Sequence, residues 1–130
     1  MLDVINPRLI NVQNSTDHRG NLNIYETGKE LPFTPERIFM ISGARQGISR
    51  GGHAHKQCSQ FFVVTFGKAD VHIKNRNDDF HFCLDSPNTG IYIPKLNWVE
   101  FTFLVPNTII TVIASHRFDS SDYIVNQSDL

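Results

Sequence analysis

The feature that most constrains this sequence is a succession of short apolar runs separated by turn residues. The runs are rich in β-branched and aromatic side chains, which is typical of strands, and the breaks between them read DHRG, NRND and SPNTG. No window has an apolar period of 3.6 residues, so we predict an all-β sandwich or barrel with little helix. The predicted strands are residues 8–13, 21–27, 37–42, 61–66, 69–75, 79–84, 90–94, 98–104 and 108–115.

Length and composition narrow the class of protein further. The 130 residues suit one globular domain, 1–130, since 40% of them are hydrophobic and 19% charged. The net charge of −1 gives no basic field, and the apolar runs are too short to span a bilayer, so neither nucleic acid nor membrane is an expected partner. We see no signal-peptide pattern, and Cys58 and Cys83 form no disulfide framework. A cytoplasmic location follows as the expectation.

Two histidines one residue apart are the first candidates for chemistry. His53 and His55 follow a Gly-Gly pair in SRGGHAHKQCSQFFVVTFG, residues 49–67. On an extended strand both side chains point to the same face. The glycines let the backbone pass close to a bulky neighbour.

The spacing around these histidines is that of the first cupin motif, G-x5-H-x-H-x4-E-x6-G, with Gly47 and Gly67 in register. Many cupins hold iron, manganese or zinc with such a pair, a carboxylate and a later histidine. Here the carboxylate position is Gln60, a neutral amide, and the later segment GIYIPKLNWVEFTF has no histidine. Cys58 lies three residues beyond His55 and is expected to face away from the pair. We therefore expect no metal and no cofactor, and favour proton transfer over a structural role for the histidines.

Five segments, the histidine motif among them, resemble one cupin family in order and spacing. The chain is similar over nearly its whole length to the dTDP-sugar 3,4-ketoisomerases, which act on dTDP-4-dehydro-6-deoxyglucose. The resemblance implies a jelly-roll cupin, commonly a dimer, that moves a keto group from C4 to C3 with His53 and His55 as acid–base groups. The segments are DHRGNLNIYE (17–26), PFTPERIFMI (32–41), RGGHAHK (50–56), LDSPNTGIYIPKLNW (84–98) and VIASHRFDSSDYI (112–124).

Residues in these segments are candidates for substrate binding. Three arginines suit the doubly charged diphosphate, because a guanidinium fork grips phosphate well. An amide would hydrogen-bond near the histidines or to the sugar, and two aromatic residues would line the sugar or thymine pocket, with core packing as their alternative. The candidates are Arg19, Arg37, Arg50, Gln60, Tyr92 and Trp98.

The chain departs from the family pattern at three positions. Met40 and Phe118 stand where tyrosines are common, and Val99 stands where the family has the histidine of Trp-His-Glu. Fewer polar groups would then surround the sugar. Three hypotheses remain: an isomerase feeding synthesis of a 3-amino-3,6-dideoxyhexose, a non-catalytic cupin that binds a nucleotide sugar, and a metal-dependent cupin. A homodimer is expected, with residues 1–13 as candidates for crossing to the partner.

Overall fold

The computed structural model describes residues 4–130, so the first three residues of the predicted crossing segment lie outside the described part. Nearly all regular structure in residues 4–130 is β-strand, with two single 3₁₀ turns at Ser120–Asp122 and Gln127–Asp129. The strands are β1 Arg8–Asn11, β2 Gln13–Asp17, β3 Gly20–Ile24, β4 Arg37–Ile41, β5 Ser49–His55, β6 Gln60–Phe66, β7 Ala69–Lys74, β8 Asp79–Leu84, β9 Thr89–Ile93, β10 Trp98–Phe103, β11 Ile109–Ala114 and β12 Tyr123–Ile124.

The strands form two five-stranded antiparallel sheets and a separate hairpin. The first sheet has the order β1-β9-β6-β11-β4 and the second β12-β5-β10-β7-β8, while β2 pairs only with β3. The predicted all-β sandwich is confirmed, and each predicted run contains a strand. None of the nine predicted runs covers β5 or β12. The predicted run 8–13 combines β1 with the first residue of β2.

The central strand β6 explains why the sequence FFVV is continuously apolar. Phe62 and Val64 point inward to the main core, while Phe61 and Val63 point to a second cluster on the outer face of the first sheet. A strand buried on both faces has no polar side and loses the alternation expected of a half-buried strand. Loop and hairpin residues that include Tyr25, Leu31 and Phe33 cover that outer face.

The glycine pair before the histidines marks the place where β5 passes closest to β10. Gly51 and Gly52 have positive φ angles of +94° and +84°. A Cβ on Gly51 would lie 2.5 Å from the carbonyl oxygen of Val99, beside a register shift between Val99 and Glu100. Only glycine combines this backbone conformation with such a close approach. The predicted bulky neighbour is therefore the backbone of β10, and the bulge sets the direction in which the following histidines point.

Two sequence-based expectations, on disulfides and on membrane-spanning segments, can be compared with the fold. Cys58 is buried and Cys83 exposed, and both are free thiols. Within residues 4–130 there is no helix with the length and apolar character needed to cross a membrane.

Candidate active site

A cavity of about 290 Å³ opens between the ends of the two sheets and receives His53. It brings together three of the predicted site residues, Arg50, His53 and Gln60. Arg50 and His53 come from β5, and Gln60 begins β6 on the facing sheet. The remaining lining is mostly apolar, from Phe39, Met40, Ile41, Phe62, Phe101 and Tyr123. An apolar cleft with a few convergent polar groups is the usual form of a small-molecule site.

His53 is half-buried at the wall of this cavity. Its ring lies 5.4 Å from that of His55, nearly perpendicular to it, and 4.9 Å from the ring of Tyr123. Burial lowers the pKa of His53, and a hydrogen bond with the Gly51 backbone acts in the opposite direction. The lowered pKa favours the neutral imidazole, which is the form that accepts a proton.

His55 lies deeper, with only 5% of its surface exposed. Its Nδ1 is 3.0 Å from Oδ2 of Asp122. Because a carboxylate only accepts hydrogen bonds, Nδ1 carries the proton and the neutral ring leaves Nε2 as an acceptor. That Nε2 is buried and has no hydrogen-bond partner. Burial lowers the pKa of His55; the hydrogen bond to Asp122 opposes the shift, while the charges of His53 and Arg37 add to it.

Asp122 is held by the loop that follows β5. Its Oδ1 accepts from the backbone N–H of Gln57 at 2.8 Å, and its Oδ2 accepts from that of Cys58 at 3.2 Å as well as from His55. The 3₁₀ turn that carries Asp122 is capped by Asp119, which accepts from the Ser121 N–H. The carboxylate therefore has a fixed orientation, and the imidazole bonded to it is fixed too.

Sequence reasoning did not select Asp122 or Tyr123 as site residues. Both lie in the SSDYI segment quoted for the family resemblance, which was the available signal. Tyr123 pairs with His55 across β12 and β5, and its ring lies 4.6 Å from the His55 ring. It is the tyrosine of this cavity, whereas Met40 occupies the wall where the family pattern led us to expect one.

The three arginines occupy different surroundings. Arg50 is exposed and lines the cavity. Arg37 is half-buried, its guanidinium lies over the rings of Phe39 and Phe118 at 5.1 and 5.7 Å, and its Nε is buried without a partner. The positive charge of Arg37 adds to the lowering of the His55 pKa.

Arg19 does not reach this cavity within the chain. It is exposed at the turn between β2 and β3 and forms a 2.7 Å ion pair with Asp17. The structure places it beside a separate shallow depression on the hairpin.

Tyr92 and Trp98 do not line this cavity, and both take the packing role that was the alternative in the sequence-based assignment. Tyr92 points to the outer face of the first sheet, where the Arg8 guanidinium lies 4.9 Å from its ring centre. Trp98 points to the outer face of the second sheet, packs with Ala54 and Ile124, and donates from Nε1 to Glu100 Oε1 at 3.0 Å. Their immediate neighbours on the strands point inward, so strand alternation turns both aromatic rings outward.

The expectation that Cys58 faces away from the histidines is wrong. A nitrogen of His55, Sγ of Cys58 and a carboxylate oxygen of Asp122 all lie within 4.8 Å of one another. The expectation assumed a continuing strand, but β5 ends at His55 and the chain then turns.

The arrangement is an all-β cupin in which a histidine pair, backed by a carboxylate, faces a cavity with arginine nearby. The family model described as "FdtA: WxcM-like, C-terminal" matches residues 5–130. The chain therefore belongs to this family.

Known relatives match over nearly the whole chain. The TDP-4-oxo-6-deoxy-alpha-D-glucose-3,4-oxoisomerase of Aneurinibacillus thermoaerophilus is 32% identical over 117 residues, which cover 90% of this chain and 84% of the relative. The sugar 3,4-ketoisomerase QdtA of Thermoanaerobacterium thermosaccharolyticum, solved with TDP, superposes with a TM-score of 0.91 at 28% identity, covering 98% of this chain and 93% of QdtA. The TDP-quinovose 3,4-ketoisomerase WlaRB of Campylobacter jejuni gives 0.91 at 30% identity and 97% coverage of both. The resemblance to the ketoisomerases is thus confirmed, and the enzyme class is isomerase.

The contact between His55 and Asp122 generates a testable prediction about the tautomer of the histidine. In Asp122→Asn the amide oxygen keeps the shorter hydrogen bond, from the Gln57 N–H, so the amide NH₂ takes the Oδ2 position, where it faces His55 Nδ1 and the Cys58 N–H loses its acceptor. We expect the His55 proton to move from Nδ1 to Nε2, which imidazole ¹⁵N NMR resolves at constant pH.

The matched control is Asp119→Asn, which keeps a good cap on the same turn and does not touch the histidine. It should leave the His55 signals unchanged. An Asp122→Asn spectrum identical to that of the native protein would contradict the positioning role of the carboxylate.

Proposed function

We propose that this protein, acting as one cupin domain, converts dTDP-4-dehydro-6-deoxyglucose to the 3-keto isomer by histidine acid–base catalysis. The observation that carries the proposal is the half-buried His53 at the cavity wall, in contact with His55, whose tautomer Asp122 holds. The names of the two relatives and the TDP bound to QdtA support the substrate class.

The reaction needs one C–H bond broken and one formed. The C3 hydrogen is acidified by the neighbouring C4 ketone, so a base removes it and leaves an enediolate whose charge lies on O4. Proton transfer from O3 to O4, followed by protonation at C4, gives a ketone at C3. Atoms and electrons balance without a redox partner, and each step is a proton transfer that neutral imidazole and imidazolium can perform.

His53 is the group we assign as the C3 base. It lines the cavity, whereas His55 is buried behind it and its hydrogen-bonding Nδ1 is committed to Asp122. The neutral form that burial favours at His53 is the form required at the start of the reaction. His55, which lies beside His53, then accepts a proton and returns it during the reaction.

Charge that develops on the sugar oxygens requires nearby donors. Arg50 and Tyr123 line the same cavity and carry N–H and O–H groups, and Gln60 contributes an amide. Arg37 and Arg50 also provide positive charge for the diphosphate. Arg19, Tyr92 and Trp98 are not part of this assignment.

A second candidate function, a cupin that binds a nucleotide sugar without catalysis, is favoured by one observation. Met40 lines the cavity where the family pattern has a tyrosine, so one potential proton donor is missing. The experiment on the histidines decides between the two functions.

The first prediction of the mechanism concerns the histidines. His53→Asn and His55→Asn should each lower turnover roughly 10²–10⁴-fold, because asparagine keeps polarity but cannot carry a proton at neutral pH. Proton NMR in deuterium oxide with dTDP-4-dehydro-6-deoxyglucose follows both the 3-keto product and deuterium at carbon.

The control is His81→Asn, an exposed histidine on the outer face of β8. It should retain the native rate. Native protein that binds the substrate but neither exchanges the C3 hydrogen nor forms product would support the non-catalytic function instead.

Binding of the nucleotide should depend on Arg50. Charge-assisted hydrogen bonds are worth about 1.5–3 kcal/mol each, so Arg50→Ala should weaken TDP binding by roughly 10–100-fold. Titration calorimetry measures the change, with exposed Arg45→Ala as the control. Equal affinities of the two variants would remove Arg50 from the phosphate site.

A homodimer is also part of the proposal. Large apolar side chains are exposed on both edge strands of the first sheet, Leu9 on β1 and Ile38 and Met40 on β4, at 52%, 65% and 68%. Burial of such edges in a second copy would remove apolar surface and unpaired strand edges from water. Light scattering should give about twice the chain mass of 14.8 kDa; a monomer mass at micromolar concentration would contradict the dimer.

The cellular setting completes the proposal. Two free thiols suit the reducing cytoplasm. A 3-keto sugar is the substrate that an aminotransferase needs to install nitrogen at C3, which places the reaction before formation of a 3-amino-3,6-dideoxyhexose.

A further inference from the structure

The cluster of His55, Cys58 and Asp122 has a composition that the isomerisation does not require. All three side chains are largely buried, and the thiol takes no part in the mechanism above. Their ligand atoms lie within 4.8 Å of one another. We propose that the cluster binds a thiophilic divalent cation, of which Zn²⁺ is the best match, and that the bound ion inhibits the enzyme.

The donor set fits zinc. Imidazole nitrogen, thiolate sulfur and carboxylate oxygen bind Zn²⁺ at about 2.0–2.3 Å, so their atoms lie roughly 3.3–3.7 Å apart in a tetrahedral site. Nδ1 of His55 and Oδ2 of Asp122 are already 3.0 Å apart, so the adjustment needed is an approach of Sγ of Cys58, which lies within 4.8 Å of the other two ligand atoms, by up to about 1–1.5 Å. Cys58 lies in the loop between β5 and β6, and Asp122 lies in a 3₁₀ turn, so neither is fixed in the middle of a strand ladder.

Hydrogen bonds around the cluster already orient two of its ligands. The Gln57 N–H donates to Oδ1 of Asp122 at 2.8 Å, and the Ser115 hydroxyl donates to Sγ of Cys58 at 3.9 Å. Contacts of this kind orient metal ligands and support the charge on a thiolate. When the His55 proton leaves, Oδ2 of Asp122 keeps only the Cys58 N–H as a donor, at 3.2 Å, and has a further lone pair for a metal.

An entry path leads to the cluster from a cavity that shares none of the lining residues of the substrate cavity. Asp122 lines a second cavity of about 580 Å³, which has room for a hydrated ion and for the water that would complete four-coordination. Lys56, His116 and Arg117 line the same cavity together with Asp119. The positive charges of Lys56 and Arg117 repel a cation. Binding therefore depends on the soft sulfur ligand rather than on the electrostatic potential of the cavity.

The reason for inhibition is the tautomer of His55. A metal on Nδ1 replaces the hydrogen bond to Asp122, moves the ring proton to Nε2 and releases one proton from the thiol of Cys58. His55 can then no longer accept a proton at Nε2. The inhibitory part of the inference rests on the proposed function, whereas metal binding does not.

The experiment measures binding and activity separately. Protein freed of metal with a chelator is titrated with Zn²⁺ alone in a calorimeter, and with Co²⁺ alone while thiolate-to-metal charge-transfer absorption is recorded. We expect one ion per chain and a charge-transfer band. Cys58→Ser should weaken Zn²⁺ binding at least tenfold and abolish the band.

The matched control is Cys83→Ser, which removes the exposed thiol and leaves Cys58 as the single cysteine. It should keep both the affinity and the band. Cys58→Ala is a second variant in case the serine hydroxyl disturbs the buried site. If neither Cys58 variant folds, the band in the Cys83→Ser protein decides, since only Cys58 can produce it.

Activity assays complete the test. Zn²⁺ should inhibit native and Cys83→Ser enzyme, with at least tenfold more Zn²⁺ required for Cys58→Ser, and chelator should restore the native rate. Unchanged Zn²⁺ binding in Cys58→Ser, or a missing band in Cys83→Ser, would overturn the metal site. Binding without inhibition would overturn only the inhibitory role, and an inactive chelator-treated enzyme would overturn the proposed function instead.

Discussion

The carboxylate of Asp122 is the interaction on which the site depends. It joins an imidazole on β5, two backbone N–H groups of the loop after β5, and a turn near the end of the chain. The residue next to it, Tyr123, contacts both histidine rings. The carboxylate adds to the pairing of the two-residue strand β12 with β5 and to the packing of Ile124, which also hold the tyrosine. One charged group therefore sets the tautomer of a histidine and helps to position the aromatic ring beside it.

The double burial of the first sheet explains how so small a chain keeps polar groups buried at its cavity. Aromatic and β-branched residues fill the space between the sheets, and a second apolar layer covers the outer face of β6. This apolar burial offsets the cost of placing His55 and Gln60 where they are 5% and 3% exposed. The polar groups collect where β5 and β6 approach β12, at one end of the sandwich, and the middle remains apolar.

Much of the fold and part of the site could be predicted from local sequence. Strand rhythm indicated the sandwich, and the motif spacing indicated that His53 and His55 lie together. The choice between pocket lining and packing for Tyr92 and Trp98 could not be made from sequence, because both sheets bury apolar side chains on both faces, so an aromatic residue in a strand does not reveal its direction. Cys58 was misplaced because the end of β5 is set by the turn toward Asp122. Asp122 itself lies 67 positions from His55, and no local pattern reports a contact over that separation.

The histidine motif and its carboxylate lie far apart along the chain, so a truncating mutation can remove one and leave the other. A stop codon late in the reading frame would leave every position of the G-x5-H-x-H-x4-Q-x6-G pattern intact. It would nevertheless remove the group that orients the proton on His55, together with Leu130, which packs beside the cluster of Trp98. A search with the histidine motif would still accept such a truncated sequence. A search that also requires the acid and the tyrosine of SSDYI would exclude such a truncated sequence.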